Sequence, residues 1–191
     1  EIASVVAYGL PNAINHGCHW YDAVLGLLGD PEPQWVIGLL TDIADEPADS
    51  RVRLDPSARV QIGMDNGTVA FVLSDGPKAI GFDIAGSEGR VAIHADSTMV
   101  WHWDQDTNES RPVPMPAISE LWPAGPAMVS DLVRAVQEDG RTACDIDHAR
   151  RATEIGFALY NSSAEQGVRI ELPTVDRALK VQSFPWGNEP R

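Results

Sequence analysis

Cysteine is scarce in this chain: Cys18 and Cys144 are the only two in 191 residues. Two thiols do not make a disulfide scaffold, and they read as reduced side chains of a cytoplasmic protein, with a single bridge left open. Long apolar runs are missing as well. None approaches the roughly 20 residues that a bilayer crossing needs, and no basic-then-apolar leader opens the sequence. Lysine occurs only as Lys78 and Lys180, and 14 basic side chains face 28 acidic ones, a formal charge of −14. Such an excess repels phosphate backbones and anionic lipid, which excludes nucleic acid and membrane surfaces as natural partners. There is no P-loop, no nucleophile elbow and no G-x-G-x-x-G after a strand, so the chain has no dinucleotide site of the Rossmann kind by itself.

What is present suits one globular domain over 1–191. The apolar share is 43% and the charged share 22%, ordinary for a folded core and too little charge for disorder. Over 1–43, Ile2 to Tyr8 reads as a strand, a turn follows at Gly9-Leu10-Pro11-Asn12, and Asn15 to Leu28 reads as a helix stopped by Gly29. Gln34 to Ile43 reads as another strand. The acidic segment from Ala44 to Pro56, broken by two prolines, reads as a surface loop.

The middle of the chain, 59–116, is β-rich. Asn66-Gly67 between Arg59–Met64 and Thr68–Ser74 is a strong hairpin signal. Turns at 75–77, 86–89 and 95–97 separate Ala79–Ala85, Arg90–His94 and Thr98–Trp103. Short strands on tight turns cannot pair in parallel with their sequence neighbours, so the sheet is expected to be mainly antiparallel. Over 126–172, Val129, Leu132, Val133 and Val136 share one face of a helix bounded by Pro126 and Gly140. A second helix starts at an N-cap, Asp145 or Asp147, and carries Ala149, Ala152, Ile155 and Leu159 inward to a stop at Gly167. A closing strand, Val168 to Leu172, precedes the tail 173–191. The expected class is α+β: an open, mainly antiparallel β-sheet with helices packed on one face. Strands such as Trp101-His102-Trp103 put large side chains on both faces, so the other face is expected to be free for association, the alternative being that the long tail folds back over it.

The densest polar cluster is Asn15-His16-Gly17-Cys18-His19-Trp20-Tyr21-Asp22, at the expected helix start. Positions i, i+4 and i+7 place Asn15, His19 and Asp22 in one stripe. Histidine titrates near neutral pH and can pass a proton to or from a substrate hydroxyl, while an amide at Asn15 can orient the ring or hold that hydroxyl. Gly17 permits close approach of a ligand or backbone. The alternative is structural: His19 as a satisfied core histidine, Asn15 as an N-cap, Asp22 on the surface. His16 and His19 could supply half of a metal site, but a four-ligand spacing is absent and no metal is expected. Cys18 and His19, adjacent on a helix, point about 100° apart and do not make a thiolate–imidazole pair. His94 and His102 read as polar groups within the sheet.

The same cluster, followed by Leu25-Gly26-Leu27-Leu28-Gly29-Asp30-Pro31, resembles the (D/N)-x-G-x-H-x-x-D signature of the glucose–fructose oxidoreductase / inositol dehydrogenase / MocA-like family. Ile84 to Val91 resembles that family's G-(T/S)-E-G turn. Met128 to Gly140, Ala149 to Gly167 and Leu172-Pro173 are similar to its closing helices and strand. The resemblance implies the C-terminal domain of an NAD(P)-dependent oxidoreductase acting on a sugar, polyol or related hydroxyl or carbonyl compound. It implies an open sheet whose free face builds a homodimer or homotetramer. His19 would be the proton-transfer residue, with Asn15 at a position more often held by an acid, and Asn15, His19 and Asp22 would bind substrate. The family's N-terminal Rossmann domain, with its Glu-Lys-Pro lysine, has no counterpart here, so NAD or NADP would be bound by a domain outside this sequence and the chain would be inactive alone. Two other classes stand beside this expectation: an oligomeric or ligand-binding module without catalysis, and a cofactor-free hydrolase or lyase using His19 and Asp22.

Overall fold

The structure is a computed structural model, and it describes residues 1–9, 12–41, 55–75, 80–94, 99–114 and 124–174. In chain order the elements are β1 (Ile2–Tyr8), α1 (Gly17–Leu27), β2 (Pro33–Thr41), β3 (Ser57–Met64), β4 (Val69–Leu73), β5 (Gly81–Gly86), β6 (Gly89–His94), β7 (Met99–Asp104), β8 (Glu109–Pro112), α2 (Ala124–Gln137), α3 (Ile146–Ala164) and β9 (Ile170–Glu171). All nine strands join one sheet in the order β8-β7-β6-β5-β1-β4-β3-β2-β9. Every pairing is antiparallel except β1 with β4. The class is α+β, as expected.

Two turns expected from sequence form as hairpins. Gly67, at φ +84°, closes β3–β4 and donates its N–H to the Met64 carbonyl at 3.1 Å. Ser87 and Glu88 join β5 to β6 between the paired residues Gly86 and Gly89. The short edge strand β8 had no apolar alternation to announce it. It is polar and exposed, and it follows a turn in which the Asp104 carboxylate accepts the N–H groups of Asp106 and Thr107. Of the expected turns, residues 10–11, 76–79 and 95–98 fall outside the described residues, as do the loop 42–54 and the tail beyond Thr174.

One face of the sheet carries the core. Register places Val36, Ile62, Ala70, Val5 and Ile84 in one row across five strands, with Gly38, Val60, Val72, Ala7 and Phe82 in the next. Helices α1 and α3 lie on these rows and contribute Tyr21, Val24, Leu25, Ile155 and Leu159, each 1% exposed or less. Burying one such aliphatic side chain contributes about 1.5–3 kcal/mol. Where β9 ends, the outer edge of β2 is still occupied. Gly38 and Leu40 donate their N–H groups to the Ser162 and Ser163 hydroxyls of α3, so the edge is not left as a row of orphan donors.

Among the described residues no helix covers the opposite face. It presents Trp35, Ile37, Leu39, Phe71, Val6, Ala92, Trp101 and Trp103 by the same registers. Leu39, Met99, Trp101 and Trp103 are exposed. Arg90, Ala92, Trp101, Trp103 and Ser110 line a shallow depression of about 410 Å³ on it.

The helices meet some expectations and correct others. Helix α1 begins at Gly17 rather than Asn15, and its N-cap position is His16, which makes no side-chain cap bond. Helix α2 does gather Val129, Leu132, Val133 and Val136 on one face, but all four are exposed there, together with Met128. Ala149 of α3 is also exposed, whereas Ala152, Ile155 and Leu159 are buried as expected.

Candidate functional site

The candidate site sits where β1 gives way to α1. Residues 13–16 form a turn continuous with the helix: Gly17 donates its N–H to the Asn12 carbonyl and Cys18 to that of Ile14. From within, Tyr21 fixes this turn by donating its hydroxyl to the Ala13 carbonyl at 2.7 Å. Gly17 is what makes room for that hydroxyl, since a Cβ there would stand 2.9 Å from it. The glycine therefore serves the Tyr21 bond. Burial and the nearby Asp55 carboxylate push the Tyr21 phenol far above its ordinary range, so it stays a neutral donor. At the other end, α1 stops on a complete Schellman motif. Gly29, at φ +81°, donates to Gly26 and Asp30 donates to Leu25.

His19 stands exposed in the first turn of α1. It is not a core histidine. Asn15 is half-buried in the preceding turn and Asp22 half-buried further along the helix; among the described residues no hydrogen bond joins the three side chains. The ring of His16 is tied down: its Nδ1 meets the Asn12 Oδ1 at 2.6 Å, and because the Asn12 amide NH₂ donates elsewhere, the neutral ring carries its proton on Nδ1. Cys18 Sγ donates to the Asn15 carbonyl at 3.3 Å. Burial raises the Cys18 thiol above its ordinary range, with Asp22 and Asp55 adding to the rise, so it is a poor nucleophile. Cys144 is exposed and is likewise raised, chiefly by desolvation, with Asp22 adding to the rise. Both cysteines are unpaired.

The residue that sequence reasoning missed is Asp55. It closes the segment read as an acidic surface loop, yet it is only 9% exposed. Its Oδ1 accepts the Ala13 N–H at 3.1 Å and the Tyr160 hydroxyl at 3.2 Å. Its Oδ2 accepts the N–H groups of Ile14 at 2.9 Å and Asn15 at 2.7 Å. Its backbone carbonyl accepts the Asn12 amide at 2.8 Å. Burial, with the Asp55 charge beside it, pushes the Tyr160 phenol well above its ordinary range, so the hydroxyl remains a donor. The one local hint was the Asp-Pro step just ahead of an apolar strand. Trp20, beside His19 in the first turn of α1, packs its indole over Gly9 and against Phe82, the ring centroids 6.1 Å apart, which places this end of α1 beside β5.

The described residues hold no dinucleotide cradle: β1 leads into α1 without a glycine-rich turn, and α1 leads to a strand, β2, that is not a neighbour of β1. Among the described residues no three His, Cys, Asp or Glu side chains gather as a metal site, and no helix is long and apolar enough to cross a membrane.

No protein-family model and no curated protein sequence matches this chain. Solved structures do. A levoglucosan dehydrogenase in complex with NADH and levoglucosan superposes with a TM-score of 0.69 at 19% identity, covering 92% of this chain and 60% of that one. An oxidoreductase domain protein from Kribbella flavida gives 0.69 at 18% identity, over 91% of this chain and 59% of that one. A UDP-N-acetylglucosamine 3-dehydrogenase from Acidithiobacillus ferrooxidans gives 0.63 at 16% identity, over 85% and 54%. This chain thus spans somewhat more than half the length of each, and what it shares with these oxidoreductases is the fold, over nearly all of its own residues.

Proposed function

We propose that this chain is the substrate-binding and assembly domain of an NAD(P)-dependent oxidoreductase acting on a sugar, polyol or related hydroxyl or carbonyl compound. The observation that carries the reading is His19: an exposed imidazole in the first turn of α1, in a fold shared with structures of sugar and nucleotide-sugar dehydrogenases. His19 takes the proton from the substrate hydroxyl during oxidation, or returns it to the carbonyl oxygen during reduction. Asn15 and Asp22 hold the substrate's hydroxyl groups, Asn15 without adding charge. Because these residues form no dinucleotide cradle, NAD or NADP belongs to a second, nucleotide-binding domain, and the 191 residues alone are inactive. The open sheet face, rich in tryptophan, is the surface through which two or four copies assemble. Free thiols at Cys18 and Cys144 suit a cytoplasmic setting.

The test is a panel of sugars and polyols with NAD and NADP, presented to this chain alone and to the polypeptide that joins it to a dinucleotide-binding domain. The reading expects reduced nicotinamide to form only with the joined polypeptide and with at least one member of the panel. Failure of the joined polypeptide on every member, with the cofactor shown to bind, points instead to a binding module without catalysis.

A further inference from the structure

We infer that Asp55 is a positioning residue of this site: its carboxylate, brought in at the start of β3, caps the turn at residues 12–16 and sets where Asn15, His16 and His19 stand. The inference rests on reading Asn15 and His19 as the proton-transfer site. A helix start leaves several N–H groups without intrahelical partners, and a nearby side chain of the same segment usually takes one of them. Here His16 at the N-cap position makes no side-chain cap bond, the first N–H groups of α1 go to the Asn12, Ile14 and His16 carbonyls of the preceding turn, and the need for acceptors passes back to that turn's own amides. Those of Ile14 and Asn15 converge on one carboxylate some 40 residues away in sequence, at 2.9 and 2.7 Å, and the Ala13 N–H is shared between that carboxylate at 3.1 Å and the Pro56 carbonyl at 2.6 Å.

The geometry is saturated. Each Asp55 oxygen takes two donors, the Tyr160 hydroxyl supplying the fourth, and a carboxylate has about four acceptor sites. Bonds from N–H groups to an ionised acceptor are roughly twice as strong as neutral ones, and a negative charge here also complements the positive end of the α1 dipole. The hold reaches the site along two routes. One runs through the Asn15 N–H into the first turn of α1. The other runs from the Asp55 carbonyl to the Asn12 amide and from Asn12 Oδ1 to the His16 ring. The body of α1 has separate anchors in Trp20, Tyr21, Val24 and Leu25, so Asp55 governs the pose of the turn more than the presence of the helix.

Asp55→Ala takes the acceptor from the Ile14 and Asn15 N–H groups, while Ala13 keeps the Pro56 carbonyl at 2.6 Å, and it leaves a space that formate can enter, so chemical rescue tests the inference. In the variant, NMR should show the amides of residues 13–15 and the rings of His16 and His19 shifted, with the resonances of β2, β3 and β4 in place. Formate should restore them, and formamide, of similar shape without the charge, should not. In the polypeptide active in hydride transfer, the same variant should lose about 10²-fold in kcat, the scale of a small misplacement of a reacting group, with KM within a few-fold and formate returning part of the loss. Amides that shift while both histidine rings and kcat hold would make Asp55 a structural cap only and overturn the inference. Should Asp55→Ala not fold, Asp55→Asn, which turns an NH₂ against donors at equal volume, carries the same readouts without the rescue. A wild-type polypeptide without hydride transfer would sink the functional reading, while the ring shifts would still decide whether Asp55 holds the turn.

Discussion

Tyr21 and Asp55 hold the same turn through different backbone groups. Tyr21 donates to the Ala13 carbonyl, and Asp55 accepts from the amides of residues 13–15. Tyr21→Phe removes one buried donor, and the net cost of such a hydrogen bond is about 1 kcal/mol. A urea titration should show a lower midpoint with an unchanged slope; an unchanged midpoint would mean that the bond contributes nothing to holding the turn. At this scale the polar motif's place at the start of α1 was legible, since Asn15, His19 and Asp22 fall at helical spacing in the sequence, although Asn15 stands in the turn before the helix. Asp55 was not. Asp42, Asp45, Asp49 and Asp55 look alike in a proline-broken acidic stretch, and only the fold shows that Asp55 meets three amides and a tyrosine.

Among the elements, α3 shows how far local signals reach. Its N-cap was legible as Asp145 or Asp147, and the structure assigns it to Asp145, which accepts the N–H groups of Asp147 and His148. The hydrogen bond from the His148 ring is the chief reason the Asp145 carboxyl sits low, at about 2. The same bond, helped by Asp30 and opposed by burial and Arg151, raises His148 above its ordinary 6.5. The signs follow from which form each group prefers in the fold. The raised His148 stabilises fully below about pH 6.5, and its contribution is lost as pH climbs through the raised value. The lowered Asp145 stabilises above its ordinary 3.8, and its contribution is lost as pH falls toward 2. Melting temperature should therefore decline as pH rises above about 6.5, and His148→Gln should flatten that decline; an equal slope in the variant would remove His148 as its source. Helix α2 was legible as an amphipathic helix from the spacing of its valines and leucine, but the exposure of that face was not, because periodicity says which residues share a face and not what covers it. The strand β8 escaped notice for a related reason: an exposed, polar edge strand has no apolar period.

For the whole molecule, the antiparallel sheet followed from turns too short for crossovers, and the helix-covered face followed from α1, apolar on most of its faces, and from the inward stripe of α3. The parallel pairing of β1 with β4 was not legible, since it joins segments about 65 residues apart with α1, β2 and β3 between them. The open face was anticipated from Trp101 and Trp103, and the structure extends it across the sheet to Trp35, whose ring lies 4.7 Å from the Arg169 guanidinium. If this face is the assembly surface, placing charge on it should release subunits. Sedimentation at micromolar concentration should show an oligomer for the wild-type chain and a folded monomer for the double variant Trp101→Glu with Trp103→Glu. A wild-type monomer would count against the surface.

The central claim concerns His19, and turnover of the His19→Ala variant in the joined, hydride-transferring polypeptide tests it most directly. Loss of a positioned acid–base group predicts a fall in kcat of about 10²–10⁴-fold with little change in KM. Turnover equal to that of the wild type would contradict the account and leave His19 an ordinary surface side chain of α1.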